Sequence, residues 1–401
     1  MLTPSKHNPC HTMHRSPDTF AQILASALPR ANVDVPLTNL TFFTGAGFSK
    51  SWDERFPVGD ALFTFTYDEW SQHGEALDEF LSLHNYQPVG LDIHASLFKD
   101  IVYQIGMMRK YPAIRPRYID DQNLDMVERH LRYLVRKKFE KTAPLYYENS
   151  DEKLAFTADL TKSQQEIINL FRIIERSGDG SQGIPQGLRP NYVSTNYDFV
   201  LEAILDNCLA PDDSYTLYIY RGITPSSYSG RSPSAVVHNN WLVSNLLKIN
   251  GGFEVFKDSE GFEFDYKKQR SDDELRSNPP QIMLASREQD YTQTYFHAMF
   301  PKVVRLLQET RLLIVVGYSM PEEDALLRLI LKQFAEDRAD GSQKILFYVD
   351  KSDEVTQRKK VSGVFPHVGE LHGLEVIPYS GSFGDWCADV VKMYKSLTEA
   401  S

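Results

Sequence analysis

Residues able to handle a phosphate or a sugar hydroxyl gather at four places in this chain, each just after an apolar run. The fullest is Thr41-Phe42-Phe43-Thr44-Gly45-Ala46-Gly47-Phe48-Ser49, where an apolar run closes on a glycine turn and no charge follows until Lys50. A buried parallel strand delivers backbone N–H groups to a phosphate in this way. Gly45 and Gly47 permit an approach that a Cβ would block, and Ser49 adds a hydroxyl. Such a turn also closes ordinary strands, so this stretch alone leaves both readings open. The other three places are Thr195-Asn196-Tyr197-Asp198, Gly317-Tyr318-Ser319 and Asp350. Polar or glycine residues at four strand ends are what an α/β sheet offers a ligand outside the carboxyl ends of its strands.

The elements that must position these residues follow from pattern. Strands are expected at 192–194, 215–221, 245–249, 312–316, 345–349 and 374–378, with a hairpin over 253–266 turning at Asp258-Ser259-Glu260-Gly261. Helical spacing marks 18–28, 124–141, 163–176, 199–208, 291–309, 322–335 and 385–397. A further helix after Pro57 would bury Ala61, Leu62, Phe65 and Trp70. Strands alternating with helices predict a Rossmann-like parallel sheet with helices on both faces. The stretch 67–187 breaks the alternation and reads as a helical insertion rich in tyrosine and basic residues. Three regions result: an N-terminal segment and helix at 1–38, an α/β domain made of 39–66 and 188–401, and the insertion at 67–187. In 124–141, Leu124, Val127, Leu131, Leu134, Val135 and Phe139 form one face. Arg129, Arg132, Arg136, Lys137, Lys138 and Lys141 populate the rest, either as a solvated surface or as a contact for an acidic partner or nucleic acid.

Composition narrows the classes. The 401 residues are 42% hydrophobic and 24% charged, as in ordinary globular proteins. A net charge of −11 disfavours nucleic acid and anionic membranes as global partners. The longest apolar run, 312–316, is far too short to span a bilayer. Cys10, Cys208 and Cys387 are widely separated and build neither a zinc ribbon nor a disulfide framework, so a reducing cytoplasm is expected. His7, Cys10, His11 and His14 could be drawn as a metal site, but a loose terminus is the plainer reading.

Taken in order, these motifs resemble the sirtuin fold, and within it the sirtuin-like proteins of bacterial anti-phage defence. Gly45 to Ser49 with Phe56-Pro57 is similar to the cofactor loop of that family. Ser194-Thr195-Asn196-Tyr197-Asp198 is similar to its Thr-Asn-Tyr-Asp segment, and Lys248-Ile249-Asn250-Gly251-Gly252 to its Lys-Leu-His-Gly-Ser segment. Arg287-Glu288-Gln289-Asp290-Tyr291 resembles its Arg-Glu-Asp-Tyr stretch, and Val316-Gly317-Tyr318-Ser319-Met320 with Asp324 its Gly-Tyr-Ser segment. The resemblance implies NAD as substrate, cleaved to ADP-ribose and nicotinamide. Gly45, Ala46, Gly47, Phe48, Ser49, Pro57, Thr195, Gly317, Tyr318, Ser319 and Asp350 would then bind it, Asp350 at the adenosine ribose. Asn196 would hold a ribose hydroxyl or position water, and Asp198 would meet the carboxamide or face the developing cation. A turn-capping role for Asn196 and a helix cap for Asp198 are the competing structural readings. Three scattered cysteines cannot build the zinc module of protein-deacylating sirtuins, so no zinc is expected.

Asn250 departs from the family, which carries a histidine there. Asparagine hydrogen-bonds but takes up no proton near neutral pH. Three accounts stay open: a weak or inactive binder, another group such as Asp198 or His238 doing the work, or a histidine deliberately replaced to trap cofactor. His372 spells the missing triplet in the wrong place and belongs to a turn. The resemblance further implies an NAD-cleaving effector that works as a homo-oligomer or with a partner, a HerA-like ATPase or an argonaute-like or sensor protein. The alternative is a catalytically weak subunit that binds NAD or ADP-ribose and acts structurally or as a sensor.

Overall fold

The computed structural model describes residues 15–27, 37–142, 145–148, 153–156, 159–175, 178–179, 186–208, 219–229, 244–266, 270–289, 291, 294–336, 343–366 and 373–399. His7, Cys10, His11, His14, His238, Asp290 and His372 lie outside them. Seven strands form one parallel sheet: β1 (Thr38–Thr44), β2 (Gln186–Ser194), β3 (Ile219–Tyr220), β4 (Ser244–Lys248), β5 (Leu312–Val316), β6 (Lys344–Asp350) and β7 (Leu374–Ser380). Their spatial order is β7-β6-β5-β1-β2-β4-β3, and the two-residue strand Gly178–Asp179 pairs antiparallel with the start of β2.

These strands form because their residues are β-branched or aromatic and are buried on both sides. In β1 the alternation is visible residue by residue. Leu40 and Phe42 enter one core, and Phe43 enters the other. On the Phe42 side pack α1 (Arg15–Ser26), α5 (Lys162–Glu175), α6 (Val200–Cys208) and α10 (Phe383–Glu399). On the Phe43 side pack α7 (Thr294–Glu309), α8 (Ala325–Glu336) and α9 (Glu354–Val364). The expected parallel sheet with helices on both faces is therefore the fold. Pro190 lies inside β2, opposite Leu40. β4 joins β2 only from Tyr192 to Ser194, so the missing N–H falls where the ladder has one neighbour.

Chain direction decides where a ligand can go. From β1 the chain moves to β2, β3 and β4 on one side, then returns across β1 to β5, β6 and β7 on the other. The switch lies between β1 and β5, and a crevice opens outside the carboxyl ends of the strands at such a point.

Between β1 and β2 the chain leaves the sheet. Helices at Tyr67–Trp70 and Glu75–Leu83, α3 (Ala95–Lys110), α4 (Asp121–Thr142) and a hairpin of Leu145–Glu148 with Lys153–Phe156 precede α5. α5 belongs with the sheet, because the Phe171 ring stacks on Phe42 at 5.2 Å and on Tyr192 at 5.8 Å. The helix expected after Pro57 is a 3₁₀ turn at Gly59–Phe63 and a separate helix at Tyr67–Trp70. Thr66 and Glu69 form a capping box that restarts the helix, and Ala61 stays exposed. The stretch expected as a strand at 215–221 pairs only at Ile219–Tyr220 among the described residues. None of the helices among the described residues is long and apolar enough to cross a membrane.

The basic face of α4 is only partly solvated, because most of its cations meet partners within the chain. Arg132 is buried and pairs with Glu128 at 2.5 Å, and Arg136 lies over the Phe253 ring at 5.0 Å. Lys137 reaches Glu140 and Asp272, while Lys138 and Lys141 face Glu69. With Phe139 packed on Phe253 at 4.7 Å, α4 is the seam that fastens the insertion to the α/β body. Only Arg129 of this set lies exposed on the helix without such a contact among the described residues.

Candidate functional site

Three parallel strands end side by side at the switch point, and their ends are tied to one another. Gly45 N–H donates to Val316 O (3.1 Å), Gly47 N–H to Gly317 O (2.9 Å) and Thr195 N–H to Thr44 O (3.0 Å). This crossing explains the glycines. A Cβ on Gly317, which has φ +65°, would fall 2.0 Å from Phe48 N, and one on Gly45 would fall 2.7 Å from Gly317 O. The sequence suggested that Gly45 and Gly47 make room for a phosphate. Here they make room for the backbone of Gly317 and Tyr318. The turn also continues directly into α2 (Ala46–Trp52), a helix that the two glycines conceal from pattern reading. Phe48 N–H donates to Gly45 O (2.8 Å), so three of the turn's donors already have partners.

The side chains of the first two motifs form one network. Ser49 Oγ donates to Asp198 Oδ2 (2.7 Å) and accepts from Asn196 Nδ2 (2.9 Å). Asn196 Nδ2 also donates to Gly45 O (2.9 Å). Both N–H bonds of that amide are thereby committed, which leaves Oδ1 to accept a hydrogen bond from something else. Asn196 is 9% exposed and Asp198 7%. Asp198 Oδ1 accepts the Val200 N–H (3.0 Å), so the carboxylate does cap α6, as its alternative reading had it. Burial pushes the Asp198 carboxyl up to about 6, against the Val200 N–H, the Ser49 hydroxyl and Lys248, which favour its charge.

Asn250 stands at the end of β4 in the turn that carries Gly251 at φ +77°. Its Nδ2 donates to Thr195 O (3.3 Å), the carbonyl of the peptide bond leading into Asn196. Its Oδ1 accepts from the Tyr291 hydroxyl (2.9 Å), and its backbone O accepts the Met283 N–H (2.8 Å). Burial drives the Tyr291 hydroxyl further from ionising. At the next strand end the Tyr318 hydroxyl donates to Asp324 (3.0 Å), its ring lies 5.2 Å from Phe43, and Ser319 is exposed. Asp350 is reached through Tyr348, whose hydroxyl lies 3.1 Å from Tyr318 O and 3.2 Å from Asp350 Oδ2. Pro57 lies farther along, in the loop after α2.

Sequence reasoning missed what holds this centre from beneath. Lys248 Nζ donates to Asp198 O (2.7 Å), Tyr197 O (3.2 Å), Glu202 (3.0 Å) and Glu254 (2.9 Å). Arg221 closes the set on Glu254 at 2.5 Å. Two cations and two carboxylates, all between 0% and 3% exposed, balance one another. Burial would raise the Glu254 carboxyl, but Lys248 and Arg221 hold it below its ordinary range. The signal was present: Glu202 and Lys248 each interrupt an otherwise apolar run, and such charges are buried only when paired. Beside the centre, a cleft of 1390 Å³ runs between α3, α4 and residues 277–301. Tyr291 lines it, and none of the residues expected to bind or cut a ligand does.

No protein-family model matches the chain, and no curated protein does. Among solved structures it is similar to a mutant Sir2 homologue in complex with ADP-ribose. That likeness has a TM-score of 0.41 at 12% sequence identity and covers 96% of this chain and 98% of the other.

Proposed function

We propose that the strand-end centre binds NAD and cleaves it to ADP-ribose and nicotinamide, and that the chain is an effector of bacterial anti-phage defence switched on by self-assembly or a partner. The observation that carries the chemical part is Asn196, whose N–H groups are committed to Gly45 and Ser49 at the switch point while Oδ1 remains an acceptor. Asn196 Oδ1 would take a hydrogen bond from a ribose hydroxyl or from the attacking water. The order of strand ends would suit a dinucleotide, with the pyrophosphate near Gly45–Ser49 and the far ribose at Asp350. Asp198, held under Ser49, would stabilise positive charge developing at the ribose C1′. The defence role comes from the resemblance of the motifs.

One observation favours a second reading, a subunit that binds NAD or ADP-ribose without cutting it. The Asn250 amide is engaged at both ends, by Thr195 and Tyr291, and cannot serve as a base. Purified protein mixed with NAD, with nicotinamide release followed for the unaltered chain, Asn196→Ala and Asn250→His, separates the two. Release that disappears in Asn196→Ala supports the enzyme. Release seen only in Asn250→His makes the chain a silenced binder. No release in any variant, alone or with candidate partners, removes the enzyme reading.

A further inference from the structure

Asp350 does not stand alone at its strand end. Its Oδ2 accepts from Lys360 Nζ at 2.7 Å and lies 3.2 Å from the Tyr348 hydroxyl, and its Oδ1 accepts the Ser352 N–H at 2.9 Å. Burial would raise this carboxyl, but Lys360 and the Ser352 N–H outweigh it and keep it ionised. The turn is held rigidly: Gln357 Nε2 donates to the carbonyls of Asp350, Ser352 and Tyr379 at 2.7–2.9 Å. Both members of the ion pair are about a quarter exposed, with side-chain accessibilities of 27% and 23%. The pair sits two strands from the glycine turn, on the order of 10 Å by sheet spacing. That is roughly the reach of a ribose with its 5′-phosphate.

We infer that Lys360 sets how this site treats a phosphate on the adenosine ribose, so that the chain accepts a 2′-phosphorylated dinucleotide as well as the plain one. The inference rests on the nucleotide reading above. A lone carboxylate beside a ribose diol favours the free 2′-hydroxyl and repels a 2′-phosphate, whereas a nearby basic side chain accommodates it. Here the carboxylate is neutralised by its own cation. An ammonium has three N–H donors, and this one meets Asp350 and, at 3.4 Å, Ser352 Oγ. A third N–H and a net charge of zero greet the phosphate in place of a full negative charge.

Calorimetric titration of the full chain with ADP-ribose and with ADP-ribose 2′-phosphate tests this, since neither probe has a nicotinamide bond to cut. The unaltered chain binds both with affinities within about tenfold of each other. Lys360→Met, or Lys360→Gln if the first variant melts early, shifts the ratio against the 2′-phosphate by about tenfold or more. Lys360→Arg restores the ratio, and Asp350→Asn moves it toward the 2′-phosphate. ADP-ribose binding with a ratio that Lys360→Met leaves unmoved overturns the inference and spares the pocket. So does rejection of the 2′-phosphate by the unaltered chain by more than about a hundredfold. Binding of neither probe overturns the pocket and the inference together.

Discussion

Two buried polar regions lie one on top of the other at the carboxyl ends of β1, β2 and β4, and they are built on opposite plans. The lower one is ionic and closed: Lys248 and Arg221 against Glu202 and Glu254, with charges that cancel and oxygens that find donors. The upper one is mostly neutral and left open: Ser49 and Asn196 around a single carboxylate, with Asn196 Oδ1 reserved as an acceptor. A saturated ionic cluster fixes backbone in a dry interior and has nothing further to give a ligand. A mostly neutral network is less costly to bury than an ionic one, and its open acceptor keeps a bond available. Lys248 connects the two plans, because two of its four partners are the carbonyls of Tyr197 and Asp198. The closed region therefore aims the open one.

The strongest way to break this division of labour is Lys248→Met. It leaves Glu202 and Glu254 facing Arg221 alone and frees the carbonyls that hold the Asn196–Asp198 turn. Loss of one member of a buried ionic set costs about 3–5 kcal/mol, and urea unfolding should show that loss. A change under about 1 kcal/mol would mean that the cluster is wetter or more adaptable than its burial implies. Next comes Gly317→Ala, which strikes the seam between strand ends. Its Cβ would meet Phe48 N at 2.0 Å on a backbone with positive φ, and the crossing must open. We expect about 3 kcal/mol of destabilisation in the same measurement.

The strand ends were legible in sequence because each closes a short apolar run, and four to six consecutive buried residues admit few other readings. Ser49 and Asn196 were legible as separate motifs. Their hydrogen bond was not, since it depends on the parallel register that sets Thr44 opposite Ser194. The ionic cluster depends on partners 6 to 46 residues apart in the chain, a pairing that no periodicity encodes. α4 shows the same limit from the other side. Its helical spacing was plain, but nothing local revealed that Asp272, Glu69 and Phe253 would meet its cations. α2 was hidden because its first turn is written in glycine.

The one carboxylate of the open region gives a pH test. Asp198 is raised to about 6 in the folded chain from 3.8, so its neutral form is the one that folding favours. A group with a raised folded pKa contributes stability in full below the unfolded value and loses it as pH climbs through the folded value. The Asp198 contribution should thus decline between about pH 4 and pH 6, by at most about 3 kcal/mol. Asp198→Asn keeps an acceptor for Val200 and a partner for Ser49 but removes the titration. Plotted against pH, the stability of the unaltered chain minus that of Asp198→Asn should fall through this window. The subtraction also cancels Glu175, which burial pushes up to about 8 and which titrates higher. A flat difference would place Asp198 in contact with water and return it to a plain helix cap.

The gentlest probe is Tyr291→Phe, because it removes one hydroxyl from the rim of the open region and leaves the closed one untouched. That hydroxyl lies 2.9 Å from Asn250 Oδ1 and 3.1 Å from Gln289 Oε1 and has one proton for the two, so its loss leaves one amide oxygen to find another donor. Gln289 and Tyr291 line the cleft, where water can replace the hydroxyl, so the stability cost should be about 1 kcal/mol or less. The effect on ligand is the informative part. With Oδ1 released, the Asn250 amide can turn toward whatever occupies the strand ends, while Thr195 still accepts from Nδ2. ADP-ribose affinity should change by a few-fold in Tyr291→Phe and not at all in the double variant with Asn250→Ala measured against Asn250→Ala alone. Equal changes in both backgrounds would detach Tyr291 from Asn250 and make the tyrosine merely part of the cleft wall.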